Sequence, residues 1–269
     1  MSLSRRSFGT SALAGVAAAG LAVGLSRTAR ADPPLGGIPV ADVRARNVVL
    51  VHGLYSDGSS WIDVVPYLQE AGLDVAVVQN PLTTLAAAAA ETRRVLALQD
   101  GPTVLVGHSW SGTIVSEVGG GPDISALAYI AARAPDAGED FPLLAKQFPT
   151  PPASAGIVTA ADGYAQLDEQ TFLDDFAGGV PRARARALYA VQGRNLATLP
   201  TERTTTAAWH HKPSWYQVST RDRTINPGLE RFLAQRMGAN TIELDTSHLS
   251  PITQPQEVAA LILAAAGHP

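Results

Sequence analysis

Ser109 sits in the run Val104-Leu105-Val106-Gly107-His108-Ser109-Trp110-Ser111-Gly112, where a continuous apolar segment meets a serine with small neighbours and a helical pattern follows. A serine hydroxyl becomes a nucleophile when a tight, strained turn exposes it at a strand end and a base takes its proton. Such a turn needs small residues two places before and two places after the serine. Gly107 meets the first need. The second place holds Ser111, small but not glycine, with Gly112 directly behind it. The chemistry served by this arrangement is acyl transfer, in which the serine attacks a carbonyl carbon.

Acyl transfer also needs backbone N–H donors aimed at the oxyanion that forms. One is expected from Trp110, the residue after the nucleophile. The other is expected from a loop after an earlier strand, where Val51-His52-Gly53-Leu54 places Leu54. His52 reads as a histidine that holds this loop rather than as a catalytic group. A base and an acid must follow. Asp222 comes after an apolar run over 215–219, and His248 after another over 241–244. Serine, acid, histidine is the chain order of one of the known triad arrangements. His248 would take the Ser109 proton, and Asp222 would hold the imidazole in the required tautomer. Taken alone, Asp222 between Arg221 and Arg223 would be a solvated ion pair; its place after a strand favours the catalytic role. Asp136, after the strand expected at 124–131, is the reserve acid. His108 is expected to be packed. His210 and His211 lack a third ligand at metal spacing, and His268 is in the tail.

These residues need a scaffold, and the chain alternates strand and helix patterns. Strands are expected at 47–51 (NVVLV), 74–79, 103–106, 124–131, 215–219 and 241–244, and helices at 59–70, 85–98, 112–118, 229–237 and 257–265. Short β-branched strands alternating with helices predict an α/β fold with a mostly parallel, doubly wound sheet. The candidate residues then fall just past the C-terminal strand ends, where ligands bind in such sheets. Between 134 and 208 the alternation stops. This stretch reads as a small helical cap insertion, with helical spacing at 164–176 and 183–191 and no clear strand.

The chain has 269 residues and a net charge of −4. Residues 1–31 begin with Arg5-Arg6-Ser7-Phe8, continue with an apolar run over 12–25 and end in Ala29-Arg30-Ala31. That pattern resembles a twin-arginine export signal. The apolar run is 14 residues long, short of the about 20 that cross a bilayer. The expected mature domain is 32–269. Losing the four arginines of the leader takes the net charge to −8, which argues against nucleic acid as a partner and against anionic membrane surfaces. The absence of cysteine excludes disulfides and thiol catalysis.

The segments VLVHGLYSDGSSW (49–61), VVQNPLT (77–83), VLVGHSWSG (104–112), KPSWYQVSTRDRTINPGLERFLAQRMGA (212–239) and SHLSPITQPQEVA (247–259) together resemble the single-domain α/β-hydrolases. That group includes plant methyl esterases, hydroxynitrile lyases and bacterial esterases. The resemblance covers nearly all of 32–269 apart from the insertion. It implies the α/β-hydrolase fold, Ser109, Asp222 and His248 as the triad, Leu54 and Trp110 as oxyanion donors, and no cofactor. Ser111 and Arg221 depart from the family pattern. The expected activity is hydrolysis of small to medium uncharged carboxylic esters or lactones, because no Arg or Lys stands in the serine turn or beside His248. The alternatives are a hydroxynitrile lyase or cofactor-free perhydrolase using the same triad, or a ligand-binding homologue with an idle triad. A lyase of this kind needs a cation near cyanide, and the chain's only lysines are Lys146 and Lys212.

Protein recovered outside the cytoplasm is expected to begin at Asp32. N-terminal sequencing checks this, and Met1 or Ser2 at the start of the exported protein would overturn it.

Overall fold

The computed structural model describes residues 44–268. The export leader expected over 1–31 lies outside the described residues. In chain order the first half contains β1 (Asn47–Val51), α1 (Val65–Glu70), β2 (Asp74–Val78), α2 (Leu85–Leu96), β3 (Thr103–His108), α3 (Gly112–Val118) and β4 (Ile124–Ile130). A long connection follows, with α4 (Phe141–Ala145), β5 (Ile157–Thr159), β6 (Tyr164–Leu167), α5 (Glu169–Thr171), α6 (Arg182–Ala190) and β7 (Asn195–Leu196). The chain then returns as β8 (Ser214–Ser219), α7 (Pro227–Arg236), β9 (Asn240–Leu244), α8 (Ser250–Thr253) and α9 (Pro255–Ala265).

Six strands form one sheet in the order β2-β1-β3-β4-β8-β9, and every pairing in it is parallel. β1 is buried at all five positions, so its apolar run has no polar face to alternate with. Successive residues feed opposite layers. Val49, Val51, Leu105 and Leu127 pack with residues of α2, α3 and α7 on one face. Val48, Leu50, Val104 and Val106 pack with Leu68 of α1 and with Val258 and Ile262 of α9 on the other. The sheet is doubly wound, as the alternation predicted.

Two elements differ from the sequence expectation. The helix expected over 59–70 splits into a 3₁₀ turn, Gly58–Trp61, and α1. The Asp57 carboxylate accepts the Ser59 amide at 2.8 Å and caps the start of the turn, and Pro66, which has no N–H, stands in the first turn of the separate helix α1. The insertion is not purely helical. β5, β6 and β7 form a small antiparallel sheet, so 164–167, expected as helix, is strand. Helix begins only after Asp168, whose side chain caps the Thr171 amide at 2.9 Å. Strands of two to four residues carry too few alternations to register as a period. Their pairing is set by distant partners, including the Gln192 side chain, which both accepts from and donates to the Leu167 backbone at 3.1 Å.

The tightest approach to backbone lies where β3 hands over to α3. A Cβ on Gly112 would stand 1.9 Å from the Arg133 carbonyl oxygen. Gly112→Ala should therefore cost about 3 kcal/mol or more through overpacking against backbone, which thermal denaturation would register as a large fall in Tm.

Candidate active site

Ser109 follows β3 directly and has φ +59°, in the left-handed region that non-glycine residues occupy only when their surroundings force it. Room for that turn is made on both sides. A Cβ on Gly53 would lie 2.6 Å from Ser109 Cβ, and one on Gly107 would lie 2.7 Å from Val115 Cγ2. Ser111 has φ −67°, a conformation open to any residue, so glycine is not required there. The close approach to the next strand falls instead on Gly112. The Ser111 hydroxyl lies 2.7 Å from the Val51 carbonyl and 2.8 Å from that of His108, and so ties the turn to the end of β1.

The three residues read from the sequence come together. The Ser109 hydroxyl donates to His248 Nε2 at 2.8 Å. His248 Nδ1 donates to Asp222 Oδ2 at 2.5 Å. The carboxylate fixes which ring nitrogen carries the proton, and that leaves Nε2 as an acceptor for the serine. The other carboxylate oxygen of Asp222 accepts the amides of Thr224 at 2.6 Å and Ile225 at 2.8 Å. The side chains of His248 and Asp222 are 0% exposed. Arg221 turns outward to Asp245 at 2.8 Å, and Arg223 to Asp175 at 2.5 Å, so neither competes for Asp222. Asp136, the reserve acid, bonds instead to His210 at 3.1 Å.

Leu54 and Trp110 line the same pocket as Ser109. The loop carrying Leu54 is held by His52: its Nδ1 donates to the Gly53 carbonyl and its Nε2 accepts the Asn80 amide, both at 2.9 Å. Those two backbone partners fix the tautomer, and burial lowers the His52 pKa, keeping the ring neutral. His108 is packed as expected, with Nε2 on the His248 carbonyl at 2.9 Å. Burial and then the nearby His248 push its pKa well down.

The pocket contains about 590 Å³ of empty space, part of it open to solvent. Leu167 and Ile157 from the insertion and Ile225 give it apolar walls. Phe176 lies 5.2 Å from the His248 ring and edge-on to Tyr55 at 6.1 Å. Two residues of the wall were not read from the sequence. Tyr55 has φ +58° and follows Leu54. Arg133, two residues beyond the strand predicted at 124–131, puts a cation in the pocket. The expectation of an uncharged lining rested on the serine turn and the His248 loop, and the end of β4 overturns it. The lysines are elsewhere: Lys146 is exposed, and Lys212 Nζ donates to the carbonyls of Gly121 and Ile124, before and at the start of β4.

The sequence model of the alpha/beta hydrolase family matches residues 48–261. No curated protein sequence matches the chain significantly. Among solved structures, polyneuridine aldehyde esterase superposes with a TM-score of 0.70 at 17% identity, covering 82% of this chain and 99% of its own. A pyrethroid hydrolase from Sphingobium faniae JZ-2 gives 0.69 at 20%, covering 84% and 98%. An extracellular alpha/beta-hydrolase from a Paenibacillus species gives 0.66 at 23%, covering 81% and 98%.

Behind Asp222 lies a second carboxyl. Glu230 of α7 is 0% exposed. Its Oε2 accepts the Ser219 amide at 2.9 Å, and its Oε1 has no partner. Burial first, and the negative charge of Asp222 second, raise its pKa well above the usual carboxyl range. A signal was present in the sequence: Glu230 stands on the same inward face of α7 as Leu229, Leu233 and Ala234. A carboxyl whose folded pKa is raised is stabilising below its unfolded value of 4.5, and that stability drains away as pH rises above it. Glu230→Gln keeps the acceptor for Ser219 and removes the titration. Its Tm should exceed that of the parent at pH 8, by about 2 to 4 °C per kcal/mol gained, and the gain should vanish near pH 4. Parallel melting curves at the two pH values check this.

Proposed function

The chain belongs to the alpha/beta hydrolase family, and from that premise we propose that it is a serine esterase, cleaving small to medium carboxylic esters or lactones through an acyl-enzyme. The observation that carries the proposal is the unbroken buried line from Ser109 Oγ through His248 to Asp222, with contacts of 2.8 and 2.5 Å. His248 Nε2 takes the hydroxyl proton as Ser109 Oγ attacks the ester carbonyl. The imidazolium that forms is stabilised by the Asp222 carboxylate, whose other oxygen is held in place by two backbone amides. The tetrahedral oxyanion is received by the backbone N–H groups of Leu54 and Trp110, held in place by His52 and by the serine turn. His248 returns its proton to the leaving alcohol. A water then repeats the cycle on the acyl-enzyme, deprotonated by the same nitrogen, and the acid departs.

Ester chemistry is also supported by what similar structures are called: an aldehyde esterase, a methylesterase from Arabidopsis and a pyrethroid hydrolase. The roof that Ile157 and Leu167 lay over the pocket suits a ligand of modest size better than a long acyl chain. Export through residues 1–31 completes the reading, and would place the activity outside the cytoplasm.

Turnover of 4-nitrophenyl butyrate tests the proposal. Ser109→Ala and His248→Ala should each lower kcat by about 10⁴-fold or more, and the double variant should be little worse than either, since the residues act as a unit. Asp222→Asn should cost about 10⁴-fold by presenting the wrong tautomer, whereas Asp136→Asn should leave kcat within about threefold, the scale of a surface substitution. Multiplicative losses, or a larger effect at Asp136, would refute the assignment.

A further inference from the structure

Arg133 is a cation without a counter-ion at the place where substrate must sit. Among the described residues its side chain makes no ion pair and a single hydrogen bond, from Nη1 to the Pro200 carbonyl at 2.9 Å. Its guanidinium lies 4.7 Å over the Phe141 ring. Three acids follow it closely in the chain, and each is taken by another side chain. Asp136 pairs with His210 at 3.1 Å, Glu139 with Arg236 at 2.7 Å and Asp140 with Arg203 at 2.8 Å. Asp222 is occupied by His248 and two amides. Arg133 is surrounded by protein yet keeps some exposed surface, as a side chain facing an internal pocket does. Burial pushes its pKa down to about 10, which leaves it charged at neutral pH. A charge so placed is unfavourable unless something pairs with it.

The backbone beneath it is clamped to the catalytic turn. The Arg133 amide donates to the Ser109 carbonyl at 2.9 Å, and its own carbonyl rests against Gly112. Ala131, two residues earlier, has φ +41°. The Tyr216 hydroxyl donates to the Ala132 carbonyl and receives the Ala132 amide at 3.2 Å. This strained, well-anchored bend gives the guanidinium a fixed place relative to the nucleophile, as a specificity group requires. Tyr55 lines the same pocket, and its hydroxyl donates to no group of the described residues.

We propose that Arg133 is a specificity-determining residue that binds a carboxylate carried by the substrate, so that the preferred ester is a monoanion with its carboxylate away from the scissile bond. One guanidinium matches one carboxylate in charge and in planar geometry, which favours a carboxylate over a doubly charged phosphate. The net negative charge of the chain does not oppose this. Surface charges are screened beyond about 8 Å at physiological ionic strength, and the local cation in a partly desolvated pocket decides the affinity.

The proposal rests on the esterase reading, and the experiment separates the two. Two ligand pairs are compared: the mono-4-nitrophenyl ester of glutaric acid against its terminal amide, and 3-carboxyphenyl butyrate against 3-carbamoylphenyl butyrate. These place the carboxylate on the acyl side and on the alcohol side. In at least one pair the carboxylate form should have the higher kcat/KM, mainly through KM. Arg133→Gln should reduce that ratio by about 30-fold or more, as expected for removing one partner of a desolvated charge pair, and Arg133→Lys should restore part of it. If Arg133 were only a strut between Phe141 and Pro200, its replacement would lower both members of a pair alike and leave the ratio unchanged. The wild-type ratio needs no variant to fold. Binding to Ser109→Ala, measured by calorimetry, needs no turnover. Tighter binding of the carboxylate form with no ester hydrolysed by the parent would sink the esterase reading and keep the anion site. Hydrolysis without preference in either pair, with the ratio unmoved in Arg133→Gln, would sink the anion site alone.

Discussion

Backbone approaches backbone around Ser109 more closely than side chains would allow, and the rest of the site is arranged to permit it. The serine is held at φ +59° because β3, α3, the loop after β1 and the bend after β4 all converge on it. Each approach is made through a residue that has no side chain to collide: Gly53 from the β1 loop, Gly107 before the serine, and Gly112 against the Arg133 carbonyl. The parallel sheet makes this convergence possible, since parallel strands present all their C-terminal ends at one edge. Strain at the serine is sustained by the two buried layers on either side of the sheet, which leave the turn no alternative conformation of comparable packing.

Charge at this edge is handled by burial and by specified partners. Asp222 keeps both oxygens occupied, one by His248 and one by two amides. Glu230 behind it has its pKa pushed well up by burial and by the Asp222 charge, which disfavours a second buried negative charge. His52 and His108, both buried, are kept neutral and serve as rigid spacers with defined tautomers or packing. The His248 imidazole thus sits beside two histidines held neutral by burial, with the carboxyl group of Asp222 bonded to it.

The insertion supplies the roof. Its small sheet places Leu167 and Ile157 over the pocket, and Phe176 over His248. It is fastened back to the sheet domain by Trp209 Nε1 on the Pro135 carbonyl at 3.0 Å and by Thr205 on the Glu117 carboxylate at 2.7 and 2.8 Å. Pro200 of the same insertion holds one nitrogen of Arg133, so the roof and the pocket cation are positioned together. In the proposed reading, substrate selection is concentrated in the insertion and the bend after β4, while the bond-breaking groups belong to the sheet.

The apolar runs, alternating with helices, determined the sheet and its parallel sense, because the central strands β1, β3, β4 and β8 are buried almost throughout and read as continuous local signals. Ser109, Asp222 and His248 were legible for the same reason: each follows such a run, and their order along the chain is itself informative. Leu54 and Trp110, read from position alone, line the pocket beside Ser109; their proposed role as backbone donors imposes nothing on the side chain. Only the tertiary structure decided what depends on distant partners. The short strands of the insertion pair with segments as far away as Asn195 and leave no period to read. Ser111 could replace glycine because the close contact had moved one residue on, to Gly112 opposite Arg133, a neighbour in space but not in sequence. Arg133 looked like one arginine among eighteen. Its meaning appeared when Asp136, Glu139 and Asp140 turned out to be bound elsewhere. Whether a charge is paired is a property of three-dimensional proximity, and sequence spacing does not encode it.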